Sequence, residues 1–115
     1  MTKAIFNFGK YGLDNFEITG HSGYSDAGSD IVCSGISTAV FTTLNLLDKM
    51  YSENIELTQN EKKGYIKCKI NFDYEAGTKT TFLAVIIQNL IDVLSSIEED
   101  YPKNLKVIIN NNNQN

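Results

Sequence analysis

Apolar and polar positions change period several times along this chain, and each change marks a structural element. Ala4 to Phe8 alternates weakly, Lys10-Tyr11-Gly12 with Asp14-Asn15 has turn chemistry, and Phe16-Glu17-Ile18-Thr19 alternates with period two. Together they predict a β-hairpin whose second strand runs into His21. Ser22 to Ser29 follows with two glycines, three serines, an aspartate and Tyr24 as its one large side chain, the composition of a mobile loop. From Ile31 the period lengthens. Ile31, Val32, Ile36, Ala39, Val40, Leu44, Leu47, Met50 and Tyr51 recur at three- and four-residue steps, which predicts a largely buried helix of about 20 residues.

The second half repeats the sequence of periods. Ile55-Glu56-Leu57-Thr58 alternates, Gln59 to Gly64 is a polar turn, and Tyr65 to Phe72 puts Ile66, Cys68, Ile70 and Phe72 on one face of a strand. Thr78 to Asp100 reads as a second helix, apolar on more than half its circumference. Such a helix has two surfaces to cover, which a symmetric homodimer would satisfy; burial of the two helices against each other is the alternative. Glu98-Glu99-Asp100 reads as a solvated helix end, Pro102 blocks continuation, and Leu105 to Ile109 is a final strand. The predicted fold is therefore α+β, a single domain over residues 1–109 in the order β-β-α-β-β-α-β. It has a mixed sheet of about five strands with two long helices, and residues 110–115 form a disordered Asn-rich tail.

Length and composition narrow the function. One hundred and fifteen residues, 42% of them hydrophobic and 21% charged, suit one globular core. The net charge of −4 and the lack of a basic cluster argue against direct binding to nucleic acid. No contiguous apolar run approaches the roughly 20 residues that cross a bilayer, and no signal peptide is visible, so no membrane partner and a cytoplasmic location are expected. Two cysteines then read as thiols rather than a disulfide, and one cysteine with one histidine is too few for a zinc site. No metal and no cofactor is expected.

The remaining chemistry lies between residues 20 and 34, where the chain's one histidine closes a strand and Cys33 opens a helix. With Asp30 as N-cap, Cys33 falls at the third helical position, where unpaired N–H groups and the helix dipole favour a thiolate. Cys33 is then a candidate nucleophile and His21 its general base, with nearby backbone amides available to an oxyanion. Asp30 either orients His21 or caps the helix. Cys68, flanked on its apolar face by Ile66 and Ile70, is a core thiol. A plain reading competes with the catalytic one: His21 as a polar strand-end residue and Cys33 as a small buried helix residue.

Gly20-His21, the eight residues Ser22, Gly23, Tyr24, Ser25, Asp26, Ala27, Gly28 and Ser29, and then Asp30-Ile31-Val32-Cys33 resemble the signature of the ribosomal-processing cysteine protease family Prp, approximately G-H-x6-G-x-D-I-V-C. Size and element order are similar to that family over most of the chain. The resemblance implies a cytoplasmic bacterial endopeptidase, usually homodimeric, that removes a short N-terminal extension from the large-subunit ribosomal protein numbered twenty-seven. It assigns the catalytic cysteine to Cys33, the histidine to His21, the aspartate to Asp30 and a mobile, substrate-covering loop to Ser22 to Ser29. Ser22 replaces a usual alanine, and Ser34-Gly35 replace small apolar residues, Gly35 weakening the helix by up to about 1 kcal/mol. A non-catalytic ribosome-assembly or peptide-binding module using the same crevice is the alternative. A thiol redox sensor fits poorly, because no resolving cysteine is near.

Overall fold

The structure of the protein, a computed structural model, describes residues 1–20, 27–71 and 81–112, with 27–30 described as backbone alone. The elements are β1 (Thr2–Gly9), β2 (Gly12–Thr19), α1 (Ala27–Tyr51), a 3-10 turn (Ser52–Asn54), β3 (Ile55–Asn60), β4 (Tyr65–Ile70), α2 (Thr81–Asp100) and β5 (Leu105–Asn111). The sheet order is β3-β4-β2-β1-β5, with β1 and β5 parallel and the other pairs antiparallel. This is the mixed five-stranded α+β domain expected from the periodicity.

Register explains which face is buried. Phe6 pairs with Phe16, and Phe16 with Cys68; in the neighbouring row Val107, Ala4, Ile18 and Ile66 line up across four strands. Because side chains alternate across a strand, both rows project to one face, and that face is the core. Phe6 and Phe16 stack with ring centroids 5.7 Å apart and planes 23° apart. The helices cover this face with Val32, Ile36, Val40 and Leu47 from α1 and Leu83, Ile87, Leu90 and Leu94 from α2. By length and composition alone both helices could cross a bilayer, contrary to the expectation from contiguous runs; each lays one buried face on the sheet.

The opposite face is polar and carries cross-strand pairs. Lys67 reaches Glu17 at 3.6 Å and Lys69 reaches Glu56 at 4.0 Å. Asn110 Nδ2 donates to Asn7 Oδ1 at 2.9 Å, and Asn7 Nδ2 donates to Asn15 Oδ1 at 2.8 Å. This asparagine ladder corrects the disordered-tail reading. Asn110 and Asn111 belong to β5, paired with Asn7 and Phe8, and the Asn112 N–H donates to the Phe8 carbonyl. The ladder and the backbone bonds hold a segment that composition alone marks as low-complexity. Residues 113–115 of the expected tail lie outside the described residues.

The end of α2 is also not simply solvated. Glu98 Oε1 accepts the Val107 backbone N–H at 2.9 Å, and Glu98 Oε2 lies 3.9 Å from Lys106 Nζ. Since β5 is an edge strand that, among the described residues, pairs with β1 alone, Glu98 occupies an N–H group that would otherwise face outward.

Candidate active site

β2, ending at Thr19, and α1, beginning at Ala27, flank the histidine-to-cysteine stretch. β2 leaves the sheet at Gly20, whose φ of +73° is a left-handed conformation that L side chains rarely adopt. A Cβ there would stand 2.7 Å from the Met1 carbonyl oxygen. Glycine is required at this position on both counts. Thr2, buried at the start of β1, reaches the Gly20 carbonyl with its hydroxyl at 3.5 Å, closing the turn from the other side.

The chain re-enters regular structure at Ala27, not after Asp30. Ala27, Gly28 and Ser29, expected in the loop, form the first turn of α1, and Asp30 is its fourth residue rather than its N-cap. Gly28 and Ser29 are poor helix formers, but a helix already anchored by Val32, Ile36 and Val40 gains a hydrogen bond for each residue added. Cys33 consequently stands at the seventh helical position instead of the third. The favourable field and the unpaired amides of a helix N-terminus fade within its first turn. Cys33 therefore stands beyond the turn that holds the helix's unpaired amides.

Both cysteines are thiols, and their surroundings differ. Cys33 is half-buried, whereas Cys68 is fully buried between β2 and β3, opposite Phe16 and Leu57. Burial pushes the Cys68 thiol up to about 11, so it is neutral and enclosed at physiological pH. The expectation that Cys68 is a core thiol holds. His21 and the loop residues Ser22, Gly23, Tyr24, Ser25 and Asp26 lie outside the described residues, as does the side chain of Asp30. Among the described residues no group of three or more His, Cys, Asp or Glu side chains could hold a metal ion.

Two features of this end of the molecule escape the periodicity reading. Gly35, two residues beyond Cys33, faces α2: a Cβ there would meet Ile97 Cδ1 at 3.5 Å. Phe41 belongs to no buried stripe and is 48% exposed. The signal that marks it is spacing, because Cys33, Ser37 and Phe41 follow at i, i+4 and i+8 along one flank of α1. The β3–β4 hairpin stands beside that flank. Its turn is fixed by Gly64 at φ +58°, by the Gly64 N–H on the Glu61 carbonyl at 3.2 Å, and by the Lys63 N–H on Asn60 Oδ1 at 3.2 Å. Tyr65 donates its hydroxyl to Glu17 Oε1 at 3.0 Å; partial burial, that bond and the carboxylate charge all push the phenol up.

Comparison with known proteins places this geometry in a family. The model of the family described as cysteine protease Prp matches residues 1–106. The ribosomal processing cysteine protease Prp of Bacillus subtilis (strain 168) is 34% identical over 101 residues, 86% of this chain and 88% of that protein. The Prp of Staphylococcus aureus is 26% identical over 88 residues, 76% of this chain and 78% of that protein. Among solved structures, a Streptococcus mutans protein superposes with a TM-score of 0.82 at 24% identity, covering 96% of this chain and 95% of its own. The Staphylococcus aureus Prp, solved in complex with a substrate peptide, superposes with a TM-score of 0.78 at 22% identity, covering 95% and 99%. A family match over nearly the whole length leaves one conclusion: the chain belongs to the Prp family and is a cysteine protease.

Proposed function

We propose that the protein is a ribosomal-processing endopeptidase that removes the N-terminal extension of the large-subunit ribosomal protein numbered twenty-seven. The observation that carries the assignment of its nucleophile is the contrast between its two thiols. Cys68 is fully enclosed and held neutral, whereas Cys33 is only half-buried, which supports Cys33 as the nucleophile. The likeness to proteins named for ribosomal processing supports the substrate.

In this reading His21 takes the proton of Cys33, and the Cys33 sulfur attacks the scissile carbonyl carbon. The tetrahedral intermediate collapses to a thioester as His21 returns the proton to the departing amine. Water, deprotonated by His21, then attacks the thioester and frees the new carboxylate, and the proton returns to sulfur. Asp30, no longer needed as a cap, orients His21. Residues Ser22 to Ser29 supply contacts to the bound peptide, Ala27 to Ser29 doing so from the first turn of α1. No cofactor takes part, and the reaction runs in the cytoplasm, where thiols stay reduced.

The molecule works as a homodimer in this reading. Tyr51 at the end of α1 meets Leu83 at the start of α2, and both helices expose large apolar side chains, Leu46 and Met50 on α1 and Phe82 and Val85 on α2. Apolar surface of this kind on a small domain suits a second copy of the chain. Light scattering on Val85→Glu tests it: a dimeric wild type and a monomeric variant are expected, and a monomeric wild type would refute it.

The central experiment incubates the ribosomal protein bearing its extension with wild type, His21→Ala, Cys33→Ala and Cys68→Ala, and weighs the products by mass spectrometry. One shortened product is expected from wild type and Cys68→Ala and none from the other two. Undiminished cleavage by Cys33→Ala would sink the assignment.

A further inference from the structure

Beside the flank of α1 that carries Cys33 lies a groove enclosing about 250 Å³, with Phe41 on one wall and Gln59, Asn60, Glu61, Gly64 and Tyr65 of the hairpin on the other. Its floor includes Ile66. We propose that this groove is a specificity subsite that takes an apolar side chain of the substrate peptide, three to four residues from the bond that is cut. The proposal rests on the reading of Cys33 as nucleophile.

Position is the first support. Eight residues of helix separate Cys33 from Phe41, about 12 Å at the helical rise, and an extended peptide covers that distance in three to four residues. Chemistry is the second. A half-exposed phenyl ring above an isoleucine offers apolar contact that the folded chain leaves unused, while the remaining wall is polar and ends in the carboxylate of Glu61. An apolar side chain gains from such a wall, and an acidic one is repelled by it. The backbone is the third support. Among the described residues β3 pairs with β4 alone, so its outer edge presents the alternating N–H and C=O groups along which an extended peptide runs. Leu57, on the same strand, is also half exposed. The hairpin turn, held by its own hydrogen bonds, gives the groove a fixed shape before any peptide arrives.

The test uses a quenched fluorescent peptide carrying the ribosomal-protein extension and its cleavage point, with each residue within five of that point changed in turn to Asp. In wild type, Asp at one apolar position three or four residues from the cut is expected to lower kcat/KM by about tenfold or more, and in Phe41→Ala that penalty is expected to fall below about threefold. Phe41→Leu, which keeps an apolar wall, restores most of the discrimination and separates contact loss from a folding defect. Identical penalty profiles in wild type and Phe41→Ala would overturn the subsite. Binding is read separately by fluorescence anisotropy on Cys33→Ala protein. Weaker binding by about fivefold or more when Phe41→Ala is added supports the subsite even if wild type cleaves nothing, in which case the protease substrate is wrong and the groove stands. Equal binding with cleavage intact refutes the groove and leaves the protease reading in place.

Discussion

The Tyr51 hydroxyl, on the last residue of α1, accepts a hydrogen bond from the Leu83 backbone N–H at 3.1 Å, in the buried first turn of α2. A side chain from one helix thus satisfies an amide that the start of the other leaves without an intrahelical partner. The contact joins residues 32 apart in sequence and ties the two helices together at the end of the sheet remote from Cys33. Tyr51→Phe removes the oxygen and keeps the ring, so the buried Leu83 N–H loses this acceptor. A loss of about 1–2 kcal/mol of stability is expected in urea denaturation, with kcat/KM unchanged.

Gly20 governs the opposite end. A methyl group there meets the Met1 carbonyl and an unfavourable backbone angle together, and the residue that follows is the proposed base. Gly20→Ala is expected to cost about 1–2 kcal/mol of stability and to lower peptide cleavage further than that loss explains, because relief of the clash shifts His21. Cleavage measured at a temperature where the variant is fully folded checks this. An unchanged rate would show that the glycine serves the fold alone.

Much of this was legible in the chain. Period-two and helical spacing placed all five strands and both helices in the observed order, because burial of one sheet face imposes that spacing locally. The thiols were separable for the same reason, Cys68 sitting between Ile66 and Ile70 on an alternating strand. What the chain concealed depends on partners far away in sequence. Asn110 looks like low-complexity tail until register aligns it with Asn7 and Asn15. Glu98 looks like an ill-placed acid until β5 brings the Val107 amide to it. The start of α1 was misplaced because Gly28-Ser29-Asp30 carries the local signature of a helix boundary, and a local signature does not weigh the buried helix that follows.

The two thiols make a prediction about pH. Burial raises Cys68 to about 11 from an ordinary value near 9, so the folded chain keeps that proton where the unfolded chain gives it up. The stability this provides is intact below pH 9 and is lost as pH rises through 11. Wild type is expected to lose stability between these values more steeply than Cys68→Ala, which has no thiol there to ionise. Alkylation at neutral pH followed by peptide mapping should label Cys33 and spare Cys68 until the chain unfolds; labelling of Cys68 in the folded protein contradicts the enclosure seen here.

Gly35 offers a stabilising change. Its position is helical, and an added Cβ would sit 3.5 Å from Ile97 Cδ1, an ordinary van der Waals contact. Gly35→Ala therefore gains helix propensity and a contact between α1 and α2 without a clash. A gain of about 0.5–1 kcal/mol is expected, read as a higher midpoint in thermal or urea unfolding.

Glu98 separates two roles that one carboxylate combines, acceptor for the β5 edge and partner for a lysine. Glu98→Gln keeps an oxygen for the Val107 N–H and loses the attraction for Lys106, which is exposed and worth little in water. Glu98→Ala loses both and leaves an outward-facing amide on an edge strand. The expected order of stability is wild type close to Glu98→Gln, with Glu98→Ala lower by about 1 kcal/mol. If the hydrogen bond is what matters, amide hydrogen exchange at Val107 accelerates in the alanine variant and stays slow in the glutamine variant. If the ion pair matters instead, both variants exchange fast and both weaken alike. That outcome would return Glu98 to the solvated helix end its sequence suggests, and it would leave the β5 edge guarded by the asparagine ladder alone.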